Sequence, residues 1–138
     1  MISAEFVVER DDFLMDIKLE IPSTGATVLF GPSGSGKTTF INVLSGIIKP
    51  MSGLIKVGNA TFFDSKNKIN LPMEKRGIGY VFQDGRLFPH MSVEENLDFG
   101  RKRSDDKTSR KKEIIELLGL GQLLQRKPST LSGGERQR

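Results

Sequence analysis

The sequence contains no cysteine and one histidine, His90. The first absence excludes a disulfide framework and thiolate metal sites, and a lone imidazole cannot assemble a zinc site without His or Cys partners. No apolar run approaches the roughly 20 residues needed to cross a bilayer, and the N-terminus MISAEFVVERDD lacks the basic and apolar regions of a signal peptide. A cytosolic chain is expected. Basic excess is also missing from most of the chain: residues 1–100 hold 10 basic and 12 acidic side chains, a net −2, whereas 101–138 hold 11 and 5, a net +6. Seven of those eleven crowd into RKRSDDKTSRKK at 101–112. That run reads as a solvated loop and helix start, not as the basic stripe of a duplex binder, so no nucleic-acid partner is expected.

Glycine, by contrast, is plentiful, with 15 in 138 residues against an average of about 7%. With 36% hydrophobic and 28% charged residues, the balance suits a globular domain, or part of one, and not a disordered chain. Odd positions from 13 to 21 read Phe13, Met15, Ile17, Leu19 and Ile21, with Asp16, Lys18 and Glu20 between them. This is the period of a half-buried antiparallel strand, with Glu5 to Glu9 as a candidate partner. Ala26 to Phe30 and Ile78 to Phe82 are continuous apolar runs, the pattern of parallel strands covered on both faces. Leu54 to Val57 and Ala60 to Phe63 flank Gly58-Asn59 as a hairpin, and Asp64 to Arg76, with Pro72, reads as a polar connection. Phe40, Ile41, Val43, Leu44 and Ile47 follow helical spacing up to a stop at Lys49-Pro50 and Gly53. Beyond Gln83 the pattern turns helical. Ser92 and Glu95 form a capping box, and a helix from Arg110 to Leu118 ends at Gly119. The whole indicates an α/β sheet protein with a helical appendage and a seam just after Gln83, giving 1–84 and 85–138.

The chemistry starts at Gly31-Pro32-Ser33-Gly34-Ser35-Gly36-Lys37-Thr38, which matches G-x-x-x-x-G-K-[ST] between an apolar run and a helix. Small residues let backbone N–H groups turn inward around phosphate oxygens, and the following helix adds its positive pole. Lys37 supplies a point charge for the β- and γ-phosphates, the Thr38 hydroxyl is a ligand for Mg²⁺, and Thr39 stands next for the α-phosphate. A second constellation is Leu131-Ser-Gly-Gly-Glu-Arg-Gln-Arg138, where Ser132 and Glu135 form a capping box around Gly133 and Gly134. Taken alone it is a helix cap or an anion site, and Gln83 is a solvated strand terminus or a functional amide.

GPSGSGKTT at 31–39, YVFQ at 80–83, LFPHMSVEENL at 87–97 and LSGGERQR at 131–138 together resemble an ABC transporter ATPase, in order and spacing along most of the chain. EKRGIGYVFQDGRLFPH at 74–90 is similar to the ATP-binding subunits of molybdate importers, with Gly85 where Ala is usual. The resemblance implies an α/β P-loop NTPase core of RecA-like type, with an antiparallel β subdomain and the start of an α-helical subdomain. It implies ATP and Mg²⁺ as ligands, with Thr38 and Gln83 on the metal and Gln83 also reaching the attacking water. Ser132, Gly133 and Gly134 become the signature that meets ATP on the opposite subunit of a head-to-tail homodimer. Phe13 stands near the family's adenine-stacking aromatic, or is a core residue of its strand. His90 belongs to the LFPH turn and is not the family's switch histidine.

The implied partners are integral membrane permease subunits and, through them, an extracytoplasmic solute-binding protein, with the ATPase on the inner face of the membrane. The apolar strand ending in Asp-Glu, which holds Mg²⁺ and polarises water in this family, is not found. Asp64 and Asp84 follow the nearest apolar stretches, and neither is followed by Glu. The chain is therefore expected to be the front part of a longer ATPase, without turnover alone and with apolar surface left open. Two other readings are a P-loop regulatory protein that binds ATP without hydrolysis, and an importer ATPase for sulfate, iron or a sugar. A kinase or GTPase is excluded by LSGGE and by the lack of N-K-x-D.

Overall fold

In the computed structural model the described residues are 1–10, 13–101 and 110–138, so most of the basic run at 101–112 lies outside them. They form two units, Met1–Tyr80 and Val81–Arg138.

The first unit is built on an antiparallel sheet. Strand β1 (Ile2–Arg10) pairs with β2 (Phe13–Ile21) from Ile2↔Ile21 to Arg10↔Phe13. On its other side β1 pairs with β3 (Ser52–Val57), which continues through β4 (Ala60–Asp64) to the two-residue β5 (Ile69–Asn70), for the order β2-β1-β3-β4-β5. The alternation expected of residues 13–21 is realised, and the partner strand begins earlier than Glu5. The hairpin around Gly58-Asn59 also forms, with a register shift between Ile55 and Lys56. β5 lies inside the stretch expected as a connection. Asp64 closes the turn before it, its carboxylate accepting from the N–H groups of Lys66 (2.9 Å) and Asn67 (3.0 Å) and from the Asn67 amide (2.7 Å). These bonds hold the Asp64 pKa below the usual carboxylate value.

Ala4, Phe6 and Val8 of β1, Met15 of β2 and Ile55 of β3 are buried on one face of the sheet. Phe40 and Val43 of helix α1 (Lys37–Ser45) join the same core, and the Phe6 and Phe40 rings stack with centroids 6.0 Å apart. Burying each such side chain contributes about 1.5–3 kcal/mol, which is what holds α1 on the sheet. The helix stops at Gly46, earlier than the expected stop at Lys49-Pro50. Gly46 has φ 90°, and its N–H and that of Ile48 donate to the Asn42 carbonyl at 3.1 and 3.0 Å. A left-handed glycine turns the chain back over the last helical turn before proline is reached.

The parallel strands expected at 26–30 and 78–82 are not formed. Both segments lie outside any strand, and Val28, Phe30 and Val81 are 81%, 99% and 95% exposed. A parallel strand needs a hydrogen-bonded neighbour, and no strand among the described residues pairs with either segment.

The second unit is helical. It holds helices α2 (Val93–Arg101), α3 (Lys111–Leu117) and α4 (Gly133–Gln137), with 3-10 turns at Gly121–Leu123 and Pro128–Thr130 between α3 and α4. Val93, Leu120, Leu123 and Leu131 form its core. The Ser92–Glu95 capping box is present, with the Ser92 N–H donating to Glu95 Oε2 at 2.7 Å and the Glu95 N–H to Ser92 Oγ at 3.2 Å. The N–H groups of Val93 and Glu94 donate to the carbonyls of Arg126 and Leu124, both at 2.9 Å, so the orphan donors of α2 are also used to hold the turn after α3. As expected, α3 ends at Gly119, φ 63°.

Gly53 is the tightest point of the sheet. It has φ 123°, and a Cβ there would collide with the Glu5 carbonyl oxygen and the Phe6 Cα of β1. Gly58 has φ 56° but open space around it. Gly53→Ala is expected to lower stability by about 3 kcal/mol or more, from backbone strain plus a clash that no rotamer relieves, against about 1 kcal/mol for Gly58→Ala. Denaturant midpoints of the two variants check this, and equal midpoints would contradict it.

Candidate functional site

The loop from Gly31 to Thr39 is shaped by two left-handed glycines, Gly34 at φ 82° and Gly36 at φ 86°. A turn is closed by the Ser35 N–H donating to the Pro32 carbonyl at 3.3 Å. The Lys37 side chain folds back across this turn, its Nζ donating to the carbonyls of Gly31 (2.8 Å) and Pro32 (2.6 Å) and to Ser35 Oγ (3.3 Å). The ammonium thus sits on the loop it belongs to, with backbone carbonyls as its acceptors.

Gly36 is also the N-cap of α1, and no side chain caps that end of the helix. The Phe40 N–H closes the first helical bond onto the Gly36 carbonyl at 2.9 Å. The N–H groups of Lys37, Thr38 and Thr39 meet no acceptor among the described residues. Orphan donors at the positive end of a helix, beside an ammonium and with no acidic residue in the first turn, make an anion site. Thr38 is exposed and Thr39 half-buried, so the Thr38 hydroxyl is open to an incoming ligand. The loop fits a polyphosphate: its donors converge at one helix end, and the exposed residues Pro32, Ser33, Gly34 and Ser35 leave that end uncovered.

The glycines differ in why they are needed. A Cβ on Gly34 would meet nothing, so only its backbone angle demands glycine. A Cβ on Gly36 would run into the Met15 methyl and the Phe13 ring. Phe13 is 38% exposed and lies against Gly36 at the edge of the sheet, while Met15 is buried beneath the loop. Sequence reasoning placed Phe13 either near adenine or in the core. The structure puts it beside the phosphate loop and outside the buried cluster. Met15, read from alternation alone as a core residue, is in addition a support for the loop.

In the second unit Gln83 lies exposed in a bend. Ser132 caps α4, with the Glu135 N–H donating to Ser132 Oγ at 3.2 Å and the Ser132 N–H to Glu135 Oε2 at 2.7 Å. These bonds, the backbone one foremost, hold the Glu135 carboxyl below its usual pKa. Gly133 and Gly134 are exposed, and a Cβ on either would touch nothing. Leu131, buried at the start of this segment, anchors it to the helical core. Asn96 ties the preceding loop to α2, accepting from the Phe88 N–H at 2.7 Å and donating to the carbonyls of Phe88, Met91 and Ser92. His90 packs edge-on against Phe88 in that loop, ring centroids 6.0 Å apart. Among the described residues no group of three or more His, Cys, Asp or Glu side chains could hold a metal.

Arg76 was not singled out by sequence reasoning. Its side chain is buried, and it donates to the Val43 and Leu44 carbonyls at 3.0 and 2.7 Å, at the far end of the helix that begins with Lys37. Tyr80 donates to Asn42 Oδ1 of the same helix at 2.7 Å. Neither contact has a sequence signature, because both join residues more than thirty positions apart.

Comparison with known proteins agrees with this geometry. The chain is 45% identical over its whole length to the molybdenum import ATP-binding protein ModC of Aliivibrio fischeri, of which the match spans 37%. It is 55% identical over 115 residues, 83% of the chain, to the protein of the same name from Brucella melitensis, of which it spans 32%. The chain therefore covers about a third of the length of these curated relatives. A solved dimeric ATP-binding cassette, in a post-hydrolysis state bound to ADP and Pi, superposes with a TM-score of 0.74 at 24% identity over 99% of this chain and 65% of the other. That likeness gives the fold: the antiparallel sheet, the phosphate-type loop and the helical unit are the parts of an α/β ATP-binding cassette. With a left-handed glycine loop opening α1, and the family model described as ABC transporter matching residues 14–138, the chain belongs to the ABC transporter family.

Proposed function

We propose that this chain carries the phosphate loop, the Gln83 loop and the signature of an ATP-binding subunit that powers an ABC importer of molybdate or a related oxyanion. The observation that carries the reading is the uncapped N-terminus of α1, where Gly34, Gly36 and the Lys37 ammonium surround a set of unmet N–H donors. The backbone from Gly31 to Thr39 binds the phosphates, and Lys37 exchanges its carbonyl acceptors for phosphate oxygens, a gain because a charged acceptor bonds an ammonium more strongly than a neutral one. The Thr38 hydroxyl would be a ligand for Mg²⁺, which neutralises charge between neighbouring phosphates. Phe13, half-exposed beside Gly36, offers an aromatic face for the adenine.

Ser132, Gly133 and Gly134 would serve the ATP of a second copy. Their support is local: neither glycine is required by packing among the described residues, and Ser132 accepts one bond while keeping its own proton to donate. In this reading two subunits close head to tail on ATP and reopen after hydrolysis, moving permease subunits in the membrane, with an extracytoplasmic solute-binding protein supplying the solute. The ATPase then works at the cytoplasmic face. Asp64 is committed to its turn, so it is no candidate for the carboxylate that polarises water. The solute assignment rests on the GYVFQDGRLFPH segment and on relatives that are named for molybdenum import.

In the intact protein, Lys37→Ala is expected to weaken MgATP binding about 10- to 100-fold, the loss of a charge-assisted contact. Titration calorimetry checks this, and unchanged affinity would overturn the phosphate-loop assignment. Gly133→Asp is expected to leave ATP binding by the monomer intact while abolishing ATP-dependent dimerisation, because a carboxylate would face the γ-phosphate. Normal dimerisation in light scattering would remove the signature's role across the interface. Cells lacking the gene are expected to lose high-affinity uptake of molybdate or tungstate. Loss of sugar or sulfate uptake alone would assign the subunit to another importer.

A further inference from the structure

Arg76 is 5% exposed and has no carboxylate partner among the described residues. Its guanidinium donates to the carbonyls of Leu71 (2.9 Å), Val43 (3.0 Å) and Leu44 (2.7 Å) and to Asn70 Oδ1 (3.3 Å), and it lies 5.3 Å from the centre of the Phe62 ring. Room for it is left by Gly46, whose missing side chain would come within 2.8 Å of the guanidinium carbon. Burial lowers its pKa from the ordinary value, yet arginine remains charged in proteins. A full positive charge is therefore enclosed by carbonyl dipoles and one aromatic face, with no anion beside it among the described residues.

As a structural cap this arrangement is costly. Gly46 and Ile48 already bond back onto α1 through the Asn42 carbonyl, and a neutral donor would satisfy the remaining carbonyls with less desolvation than a buried cation. What a neutral donor cannot do is cancel the negative pole of the helix. Val43 and Leu44 lie in the last turn of α1, where that pole resides, and Lys37, Thr38 and Thr39 occupy the first turn, where the positive pole and the unmet N–H groups are. Nine residues span only about 14 Å, short enough for a charge at one end to be felt at the other across a poorly polarisable core.

We infer that Arg76 is a positioning residue that sets the electrostatic strength of the anion site through α1. By neutralising the far pole it makes the Lys37 end more positive, and so favours the more highly charged of two ligands sharing one base. The inference rests on the nucleotide-binding reading of the loop and adds a selectivity for phosphate charge. Its size follows from one unit charge at about 14 Å with an effective dielectric near 20: about sevenfold in affinity per unit of ligand charge at low salt. The effect shrinks as the Debye length falls below that distance, about 10 Å at 0.1 M salt.

The test compares ATP, ADP and AMP binding without added Mg²⁺, at low salt and at 0.5 M salt, in the intact protein and in its Arg76→Gln and Arg76→Lys variants. ATP and AMP differ by about two units of charge, so with Arg76→Gln the ATP:AMP affinity ratio is expected to fall by about 50-fold at low salt, with little change at high salt. Arg76→Lys keeps the charge, and is expected to keep the ratio while losing thermal stability with the fork of hydrogen bonds. A merely structural role would weaken all three ligands equally. An unchanged ratio in a folded Arg76→Gln protein overturns the inference. If that variant does not fold, Arg76→Lys decides the matter, because a native-like lysine variant that has lost the ratio is incompatible with a charge effect. Failure of the unsubstituted protein to bind ATP at all would instead overturn the reading of the loop itself.

Discussion

Phe40 and Val43 pack into the apolar face of the antiparallel sheet, and that contact fixes the direction of α1. The phosphate loop can present its donors only where this helix points, because the unmet N–H groups of Lys37, Thr38 and Thr39 are the helix's own first turn. Isolated, a nine-residue helix is unstable in water. The sheet therefore supplies the free energy that keeps these donors in place.

The loop is braced from three sides within its unit. Met15 and Phe13 of β2 occupy the space left by the missing side chain of Gly36. Lys37 ties down the Gly31 and Pro32 carbonyls. Arg76 and Tyr80 hold the opposite end of α1, through its last carbonyls and through Asn42. A segment far along the chain thus sets the position of a helix near its start, and Gly46 and Gly77, both left-handed, let the chain turn tightly around that junction.

The helical unit follows a different logic. Its core is small, and two capping boxes with the same Ser-x-x-Glu spacing start α2 and α4. Local hydrogen bonds carry much of the order here. Local signals are also what a sequence displays openly, and this explains why the starts of these helices agree with expectation, as does the end of α3 at Gly119. The early stop of α1 at Gly46 was equally local. Apolar spacing continues to Ile47 and suggests a longer helix, but a left-handed glycine ends a helix regardless of the side chains that follow.

Period-two alternation, the hairpin at Gly58-Asn59, the P-loop pattern and the capping boxes are properties of neighbouring residues, and the sequence by itself determined them. So was family membership, because the spaced motifs form a pattern that chance rarely produces. The fate of Ala26 to Phe30 and Ile78 to Phe82 was decided elsewhere. An apolar run says that a strand is possible, but a strand exists only when another offers it hydrogen bonds, and among the described residues none does. The proximity of Phe13 and Met15 to Gly36, and of Arg76 to the last carbonyls of α1, likewise arose only from folding. Those contacts depend on register and on where the helix lands on the sheet, quantities that no stretch of adjacent residues encodes.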